Sequence, residues 1–464
     1  MFFKRYLKIP VLIAIRYIGR KFKLILIIVF GLMLASLLIY KFSYLVIDQN
    51  HLSEGIIGTY QKHDLPESVS RLISSSLVNF DDRGRVIPNL AENWEANQEL
   101  TEFSFKLKSQ TWTDGTQVKS SDLEFSIPDV EVSYPDDQTV LFKLKEAFSP
   151  LPSLLTKPLF KKGTMIGTGP YTVTKMEISR IFLTRVTLVP AWDQNLPDLT
   201  IRFYPNEKIA QTALNLGEVQ SLIGINDLGQ AIGSSVFGLK QTVAQSKVVS
   251  ILYDTKDPIL GSRSLRQALS YSSPEVVGEA VAVTPIPPFS WSYTKEVNDY
   301  LNNSKAAKAA FDRAKQQVSA DSLKNELVLT TTPQYGEIGK QVVDSWQKLG
   351  LKAILRIESG IPQNFQALLI AQAVPLDPDQ YALWHSTQTK TNLTGYDSKR
   401  VDKDLEDGRK TIKEEERKLK YIDFQKTLLE DSPATFLYFP KYNVIYLKKI
   451  ESKLNQVLPL QLPR

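Results

Sequence analysis

Between Phe103 and Lys108 the apolar residues Phe103, Phe105 and Leu107 alternate with Ser104, Lys106 and Lys108, the period of a strand with one buried face. A second alternation, Val140, Phe142 and Leu144, comes after a turn at Pro135-Asp136-Asp137, and Asp114-Gly115 supplies a tight turn between the two. Residues 80–160 therefore predict a small, mainly β subdomain. Farther along, Leu327 to Leu329 predicts a strand, and Ile338, Val342, Val343, Trp346 and Leu349 mark one helical face that stops at Gly350, a natural C-cap. Leu351, Ala353, Leu355 and Ile357 alternate next, so the segment reads strand, helix, strand and predicts an α/β architecture. Residues 401–430 predict one or two helices with Leu405, Ile412, Leu419 and Ile422 on apolar faces. Glu406/Lys410 and Glu416/Lys420 stand there at supporting i, i+4 spacing, and the other charges form a solvated face. Pro285, Pro287 and Pro288 mark an irregular loop.

The N-terminal pattern is of another kind. Leu24 to Tyr40 carries no charge, and Phe42 to Ile47 extends the run past Lys41, whose stem can snorkel. At about 1.5 Å per residue this is long enough for a hydrocarbon core of roughly 30 Å. Seven Lys/Arg precede it, which by the positive-inside rule keeps residues 1–23 cytoplasmic and exports the chain beyond residue 47. A cleaved signal peptide is the alternative; the run exceeds the usual apolar length and no A-x-A-like site succeeds it, so a retained anchor over 24–47 is expected. The patch Ile9 to Ile18, broken by Arg16, is too short to span and reads as a helix lying on the surface.

Composition sharpens this picture. With 464 residues and 43% hydrophobic content the chain can bury a substantial core in two or three domains. The net charge of +6 is local: without the eight Lys/Arg of residues 1–41, 48 basic residues face 50 acidic ones, a net of −2. The basic balance thus argues for a membrane and against nucleic acid. Zero cysteines exclude disulfides, thiolate metal sites, a cysteine nucleophile and a lipid-modified cysteine anchor. His51, His63 and His385 are too scattered for a His-based metal site, and no G-x-x-x-x-G-K-[ST] phosphate loop is present. Neither cofactor nor metal is expected.

Several words occur in a telling order. Residues 86 to 94 read VIPNLAENW; Phe103-Ser104-Phe105-Lys106-Leu107, Trp112-Thr113-Asp114-Gly115-Thr116 and Ser121-Asp122-Leu123-Glu124-Phe125-Ser126-Ile127 come next. Then come Gly167-Thr168-Gly169-Pro170-Tyr171, Ser264-Leu265-Arg266-Gln267-Ala268-Leu269, Asp377-Pro378-Asp379-Gln380-Tyr381, Trp384-His385-Ser386, Asn392 and Asp431-Ser432-Pro433-Ala434. The set resembles the family 5 extracellular solute-binding proteins that bind oligopeptides, dipeptides, nickel chelates or oligosaccharides for ABC importers. The resemblance implies a two-lobed α/β, periplasmic-binding-protein-like (type II) fold with a small extra β-rich subdomain. It implies a first lobe over 48–250 with the subdomain at about 80–160, a second lobe over 251–440, and a return of 441–464 to the first. Crossings are expected near Ile251-Leu252-Tyr253 and Phe436 to Phe439. Two departures stand out: the subdomain is short, and Val374 occupies the position where peptide-binding members carry an Asp for the ligand's α-ammonium group. A buried ammonium without a carboxylate pays heavily in desolvation, unless Asp377 or Asp379 takes that role.

The resemblance and the aromatic content together nominate Tyr60, Trp291, Tyr293, Asp377, Asp379, Gln380, Trp384 and His385 as ligand-binding residues. For Trp384 and His385 an ordinary core tryptophan and a satisfied histidine are an equal alternative. Asp377 and Asp379 also have the residue types of a catalytic carboxylate pair, but no partner motif accompanies them and an enzyme is not expected. The expected protein is a monomer that captures peptides or a similar small solute by hinge closure and delivers it to a separate ABC permease and its ATPases. A membrane-tethered sensor, or a surface protein of the same fold without transport, is the alternative; only 23 residues precede the apolar run, too few for a cytoplasmic signalling domain.

Overall fold

The computed structural model of the chain describes residues 27–36 and 50–461 except 230, 245, 298, 299, 361 and 363. Two compact units are present, residues 1–52 and 53–464. In the first, residues 27–36 are helical, and Ile27, Phe30, Leu32 and Met33 leave at least 60% of their surface exposed. Among the described residues no helix is long and apolar enough to cross a membrane; the rest of the 24–47 run and the whole 9–18 patch lie outside them.

The second unit is organised by three larger sheets, beside a two-stranded one of Val78–Phe80 and Val86–Pro88. A seven-stranded sheet runs in the order Phe237–Val243, Lys441–Leu447, Ser221–Ile223, His51–Ile57, Asp198–Tyr204, Phe182–Pro190, Tyr171–Ser179. A six-stranded sheet runs Ala280–Val281, Ala434–Phe439, Lys247–Tyr253, Ala367–Ala373, Glu326–Thr331, Lys352–Ile357. Its strands Lys247–Tyr253 and Ala434–Phe439 are nearly continuous apolar runs because both of their faces are covered. The predicted strand, helix, strand unit is here: Glu326–Thr331 pairs in parallel with Lys352–Ile357, and the helix Gly336–Lys348 between them buries Val342, Val343 and Trp346. Gly350 takes φ +94° to end the connection, as its sequence position requires. The third, four-stranded sheet joins Ala91–Ala96, Glu102–Leu107, Thr139–Leu144 and Val130–Asp136. Its core sets Phe105 edge-on against Phe142, at 5.4 Å between centroids, with Trp112 buried in the same cluster.

The chain passes from the seven-stranded to the six-stranded sheet between Val243 and Lys247 and returns through Pro440. The two crossings lie side by side, since the Ala244 N–H donates to the Pro440 carbonyl at 2.7 Å. The first position differs from the expectation near Ile251, since Lys247–Tyr253 pairs along its whole length with Ala367–Ala373; the second falls where the return over 441–464 was expected to start, just past Phe436 to Phe439, which belong to the second sheet. In the helical region 401–430, where one or two helices were expected and Leu405 is buried as read, the apolar face of the later part needs correction. The region forms two helices, Lys399–Arg409 and Glu414–Asp431, and the buried face of the second is set by Tyr421, Phe424 and Leu428, while Ile412 and Leu419 are exposed. Of the residues at i, i+4 spacing, Lys420 instead binds Asp407 on the other helix at 2.8 Å, and Glu406 faces His385.

Three of the sequence words are packing devices. A Cβ at Gly167 would stand 2.0 Å from the Ile73 carbonyl oxygen, and one at Gly169 2.6 Å from the Leu72 carbonyl oxygen, so only glycine lets this segment lie against the end of the helix Glu67–Ile73. Arg266, 5% exposed, donates to the carbonyls of Ser432 (3.0 Å), Leu260 (2.8 Å), Gly261 (3.0 Å) and Asp431 (2.6 Å). The Ser264–Leu269 and Asp431–Ala434 words are therefore two halves of one cap. In it a buried guanidinium satisfies carbonyls where the helix Glu414–Asp431 ends in left-handed Ser432.

Glu54, fully buried in the strand His51–Ile57, meets the C-terminal helix Glu451–Gln461 through Gln461 Nε2 at 2.5 Å, while its Oε1 has no partner among the described residues. Burial raises its pKa from 4.5 to about 7, the Gln461 bond opposing. A carboxyl whose folded pKa is raised contributes fully below its unfolded value and loses that contribution as pH climbs through the folded one. Glu54→Gln should accordingly raise the urea unfolding midpoint at pH 8, by the equivalent of about 3 kcal/mol at most, and leave it nearly unchanged at pH 4.5. Gly167→Ala should lower that midpoint at both pH values, at a cost of about 3 kcal/mol or more because backbone must move.

Candidate functional site

The carboxyl ends of parallel strands in the two sheets face one another, the place where α/β folds leave a crevice for ligands. His51–Ile57 ends in Gly58 at φ +134°, whose N–H donates to the Tyr204 carbonyl at 2.7 Å. Ser221–Ile223 ends in Gly224 at φ +76°, close against the Tyr442 ring, with its N–H on the Asn443 carbonyl at 2.9 Å. Across the gap, Glu326–Thr331 runs into Thr332 to Tyr335, and Ala367–Ala373 runs into Val374. Between them lies a recess of about 420 Å³ whose polar lining includes Asn226, Lys247, Gln334, Tyr335, Lys441 and Tyr442. Gln334 Nε2 reaches across to Asn226 Oδ1 at 3.4 Å. The crossings bound one end of this space, because Lys247 and Lys441 are the first strand residues after them. Burial raises the pKa of both Tyr335 and Tyr442, so both phenols stay neutral donors.

The subdomain and the segments flanking it bridge to the lobe of the second sheet at another point. The Trp291 N–H donates to the Arg83 carbonyl at 2.9 Å, and the Ser149 N–H to the Arg409 carbonyl at 2.7 Å. Arg85 pairs with Glu414 at 2.8 Å, and the Arg409 guanidinium lies 5.1 Å from the centre of the Phe148 ring. The two lobes are thus joined by chain at the crossings and by non-covalent contacts at this latch.

The residues nominated from sequence fall mostly on the wall beside the latch. Asp377 is bound by Arg417 at 3.0 and 3.4 Å, and Asp379 by Arg409 at 2.9 Å; Arg409 also lies 3.8 Å from the centre of the Tyr381 ring. Burial raises the Asp379 pKa while Arg409 lowers it, and burial prevails. Gln380, buried, donates to the Pro285 carbonyl at 3.1 Å and accepts from Trp384 Nε1 at 2.9 Å. Trp384 sits in the apolar core against Phe436, and His385 is held by Glu406 at 3.1 Å and Thr387 at 2.8 Å, stacked on Tyr381. Trp291 packs edge-on against Tyr421 beside the Arg417 guanidinium; Tyr293 packs on the same core, its N–H on the Ser290 carbonyl at 3.0 Å. Val374 is buried, its N–H on the Ser246 carbonyl at 2.9 Å. Each of the two carboxylates, of Asp377 and Asp379, is thus occupied by a guanidinium.

Tyr60 is on the first lobe, tilted against Phe203 with its hydroxyl donating to the Ile57 carbonyl at 3.2 Å. It also lines a second cavity, of about 820 Å³, with Lys62, His63, Glu124, Lys157 and Lys162, and no residue of the second sheet's lobe takes part. Only a site with walls in both lobes can favour one interlobe geometry over another, so the recess at the crossings is the candidate site. Sequence alone nominates none of Asn226, Lys247, Gln334, Tyr335, Lys441 and Tyr442; their one local signal is a lysine heading each of two largely apolar strands. Among the described residues no group of three His, Cys, Asp or Glu could hold a metal ion.

Comparison with known proteins bears on the family and the fold. The model of the bacterial extracellular solute-binding proteins, family 5 (middle), matches residues 85–392. The oligopeptide-binding protein AppA of Bacillus subtilis is 23% identical over 465 aligned positions, covering 84% of this chain and 85% of its own. The dipeptide-binding protein of Escherichia coli is 23% identical over 390, covering 64% of this chain and 73% of its own. Among solved structures, NikZ of Campylobacter jejuni in complex with Ni(L-His) superposes with TM-score 0.68 at 21% identity, covering 87% of this chain and 95% of NikZ. The substrate-binding protein CtaP of Listeria monocytogenes gives 0.70 at 18% identity, covering 86% and 94%. A match of this extent to the family model, on the fold those structures share, means that the chain belongs to the bacterial extracellular solute-binding proteins of family 5, binding proteins of transport and not enzymes.

Proposed function

We propose that the chain is a membrane-tethered, extracytoplasmic receptor that captures peptides, or solutes of similar size, for an ABC importer by closing its two lobes. The observation that carries this reading is the recess with walls from both sheets, backed by two adjacent crossings. A solute touching both walls stabilises the closed arrangement by the contacts it gains there over the open one. The lobes in this reading are residues 53–243 with 441–461, and residues 247–439. Peptide is the leading ligand class because AppA and the dipeptide-binding protein are named for it. The apolar run 24–47 supplies the tether, supported by the exposed apolar side chains of 27–36, and holds a monomeric receptor near a separate permease and its ATPases. Of the nominated residues, Tyr60 stands on the first lobe and Trp291, Tyr293, Asp377, Asp379, Gln380, Trp384 and His385 on the second, all outside the lining of the recess.

Mass spectrometry of small molecules released from the purified full chain should show bound peptide, and adding that peptide should shorten the distance between spin labels placed on the two lobes; an unchanged distance at saturation rejects closure. Asp377→Asn should lower the urea midpoint by the equivalent of about 3 kcal/mol, since it strands the buried Arg417 charge, whereas the folded fraction keeps its peptide affinity. Arg85→Ala removes a half-exposed pair worth at most about 1 kcal/mol and should weaken apparent peptide affinity no more than about fivefold.

A further inference from the structure

The strands His51–Ile57 and Ser221–Ile223 run in parallel, and Glu54 stands in register with Ser221. The next pair, Gly55 and Leu222, turns to the opposite face, where a Cβ at Gly55 would meet Leu222 Cδ2 and the Tyr204 ring. Glu54 and Ser221 therefore share the other face of the seven-stranded sheet. Tyr446, in register with Ser221 on the neighbouring strand Lys441–Leu447, continues that row, and its hydroxyl donates to Glu451 at 2.8 Å. Glu451 opens the C-terminal helix, and Gln461 at the other end of that helix donates through Nε2 to Glu54 Oε2. The helix Glu451–Gln461 thus lies along this row and shuts it from solvent.

Glu54, Ser221 and Gln461 are each 0% exposed. Each keeps a buried oxygen without a hydrogen-bond partner among the described residues: Glu54 Oε1, Ser221 Oγ and Gln461 Oε1. A carboxylate and an amide oxygen can only accept, and burying such acceptors unmatched is costly. Burial and the Gln461 amide set the Glu54 pKa, and no lysine or arginine acts on it. Arg71, on the helix Glu67–Ile73 beside Leu460, is bound instead to Glu67. The titratable groups that feel Glu54 in return are the phenols of Tyr171 and Tyr442, whose pKa values are raised by burial first and by Glu54 next, so both are neutral. The Tyr171 hydroxyl is engaged by the Pro197 carbonyl at 2.9 Å.

Three buried acceptors around one carboxylate match a positive charge that takes oxygen ligands. Oxygen donors alone suit hard cations and not the transition metals. A single carboxylate balances a monovalent ion, whereas a divalent one would leave net positive charge in the interior. The C-terminal end of the helix at Gln461 adds the negative pole of its macrodipole. We propose that Glu54 Oε1, Gln461 Oε1 and Ser221 Oγ form a buried site for an alkali-metal cation, which fastens the C-terminal helix to the first sheet. Binding to the protonated acid exchanges one proton for one cation: the Glu54 O–H bond breaks, the proton leaves to solvent, and the cation takes its place beside the carboxylate.

The test uses the full-length chain in detergent micelles, with sodium, potassium or tetramethylammonium chloride at equal ionic strength; the organic cation is too bulky and has no bare charge to offer oxygen ligands. The carboxylic-acid infrared band of Glu54, identified as the one missing from Glu54→Gln, is followed against pH. In tetramethylammonium it should titrate at about pH 7, and each tenfold rise in sodium or potassium above the dissociation constant should lower that midpoint by about one unit. At pH 8 the alkali ion should also raise the urea midpoint of the native sequence and leave that of Glu54→Gln unchanged, so the advantage of Glu54→Gln is full in tetramethylammonium and shrinks in alkali chloride. Ser221→Ala should weaken the alkali affinity about tenfold, as one ligand is lost, with circular dichroism reporting an intact fold. An infrared titration that ignores both alkali ions overturns the proposal, a proton alone then satisfying the cluster. An alkali-dependent urea midpoint retained in Glu54→Gln, or a titration of Ser221→Ala identical to the native one, overturns it as well by placing the ion elsewhere.

Discussion

The hydrogen bond from Ala244 to Pro440 ties together the two stretches of backbone on which the whole arrangement depends. Because the chain leaves the first sheet and comes back at adjacent points, the lobes share a narrow pair of covalent connections. Each lobe closes a core of its own, one including Trp346, Val249 and Leu369, the other including Leu222, Ala210 and Ile445. The polar side chains at the facing carboxyl ends, Tyr335 and Gln334 on one side and Asn226 and Tyr442 on the other, are then left to line a space. That division of labour, apolar cores inside the lobes and donors between them, results from where the chain crosses.

Much of the fold is legible in the sequence because its elements carry strong periodicity. The Phe103/Phe105/Leu107 alternation is the strand Glu102–Leu107, and the Ile338-to-Leu349 face is the helix Gly336–Lys348. The helix pair is harder. Its apolar stripe includes Tyr421 and Phe424 beside a buried Arg417, so a reading that looks only for aliphatic residues at helical spacing settles on exposed Ile412 and Leu419. The first expected crossing is displaced for a related reason: Lys247–Tyr253 is almost wholly apolar, and a uniform run does not show where the chain changes sheets.

The site is less legible than the fold. Acidic and aromatic residues clustered near Asp377 attract attention in sequence, yet which of them is already paired depends on partners such as Arg409 and Arg417, thirty or more residues away. Conversely, Lys247 and Lys441 look like ordinary solvated lysines until both crossings are placed next to one another. A local pattern records propensity and burial; it does not record which distant charges cancel.

The Arg266 cap has an implication for exchanging parts between related proteins. One guanidinium closes the loop at Leu260 and Gly261 and also the end of a helix more than 150 positions later, at Asp431 and Ser432. A graft whose junction falls anywhere between those segments brings a foreign partner to each half, and the carbonyls are orphaned unless the donor supplies an arginine at the same spot. Hybrid receptors with altered cargo should therefore be cut at the crossings, where the second lobe can be moved as one piece.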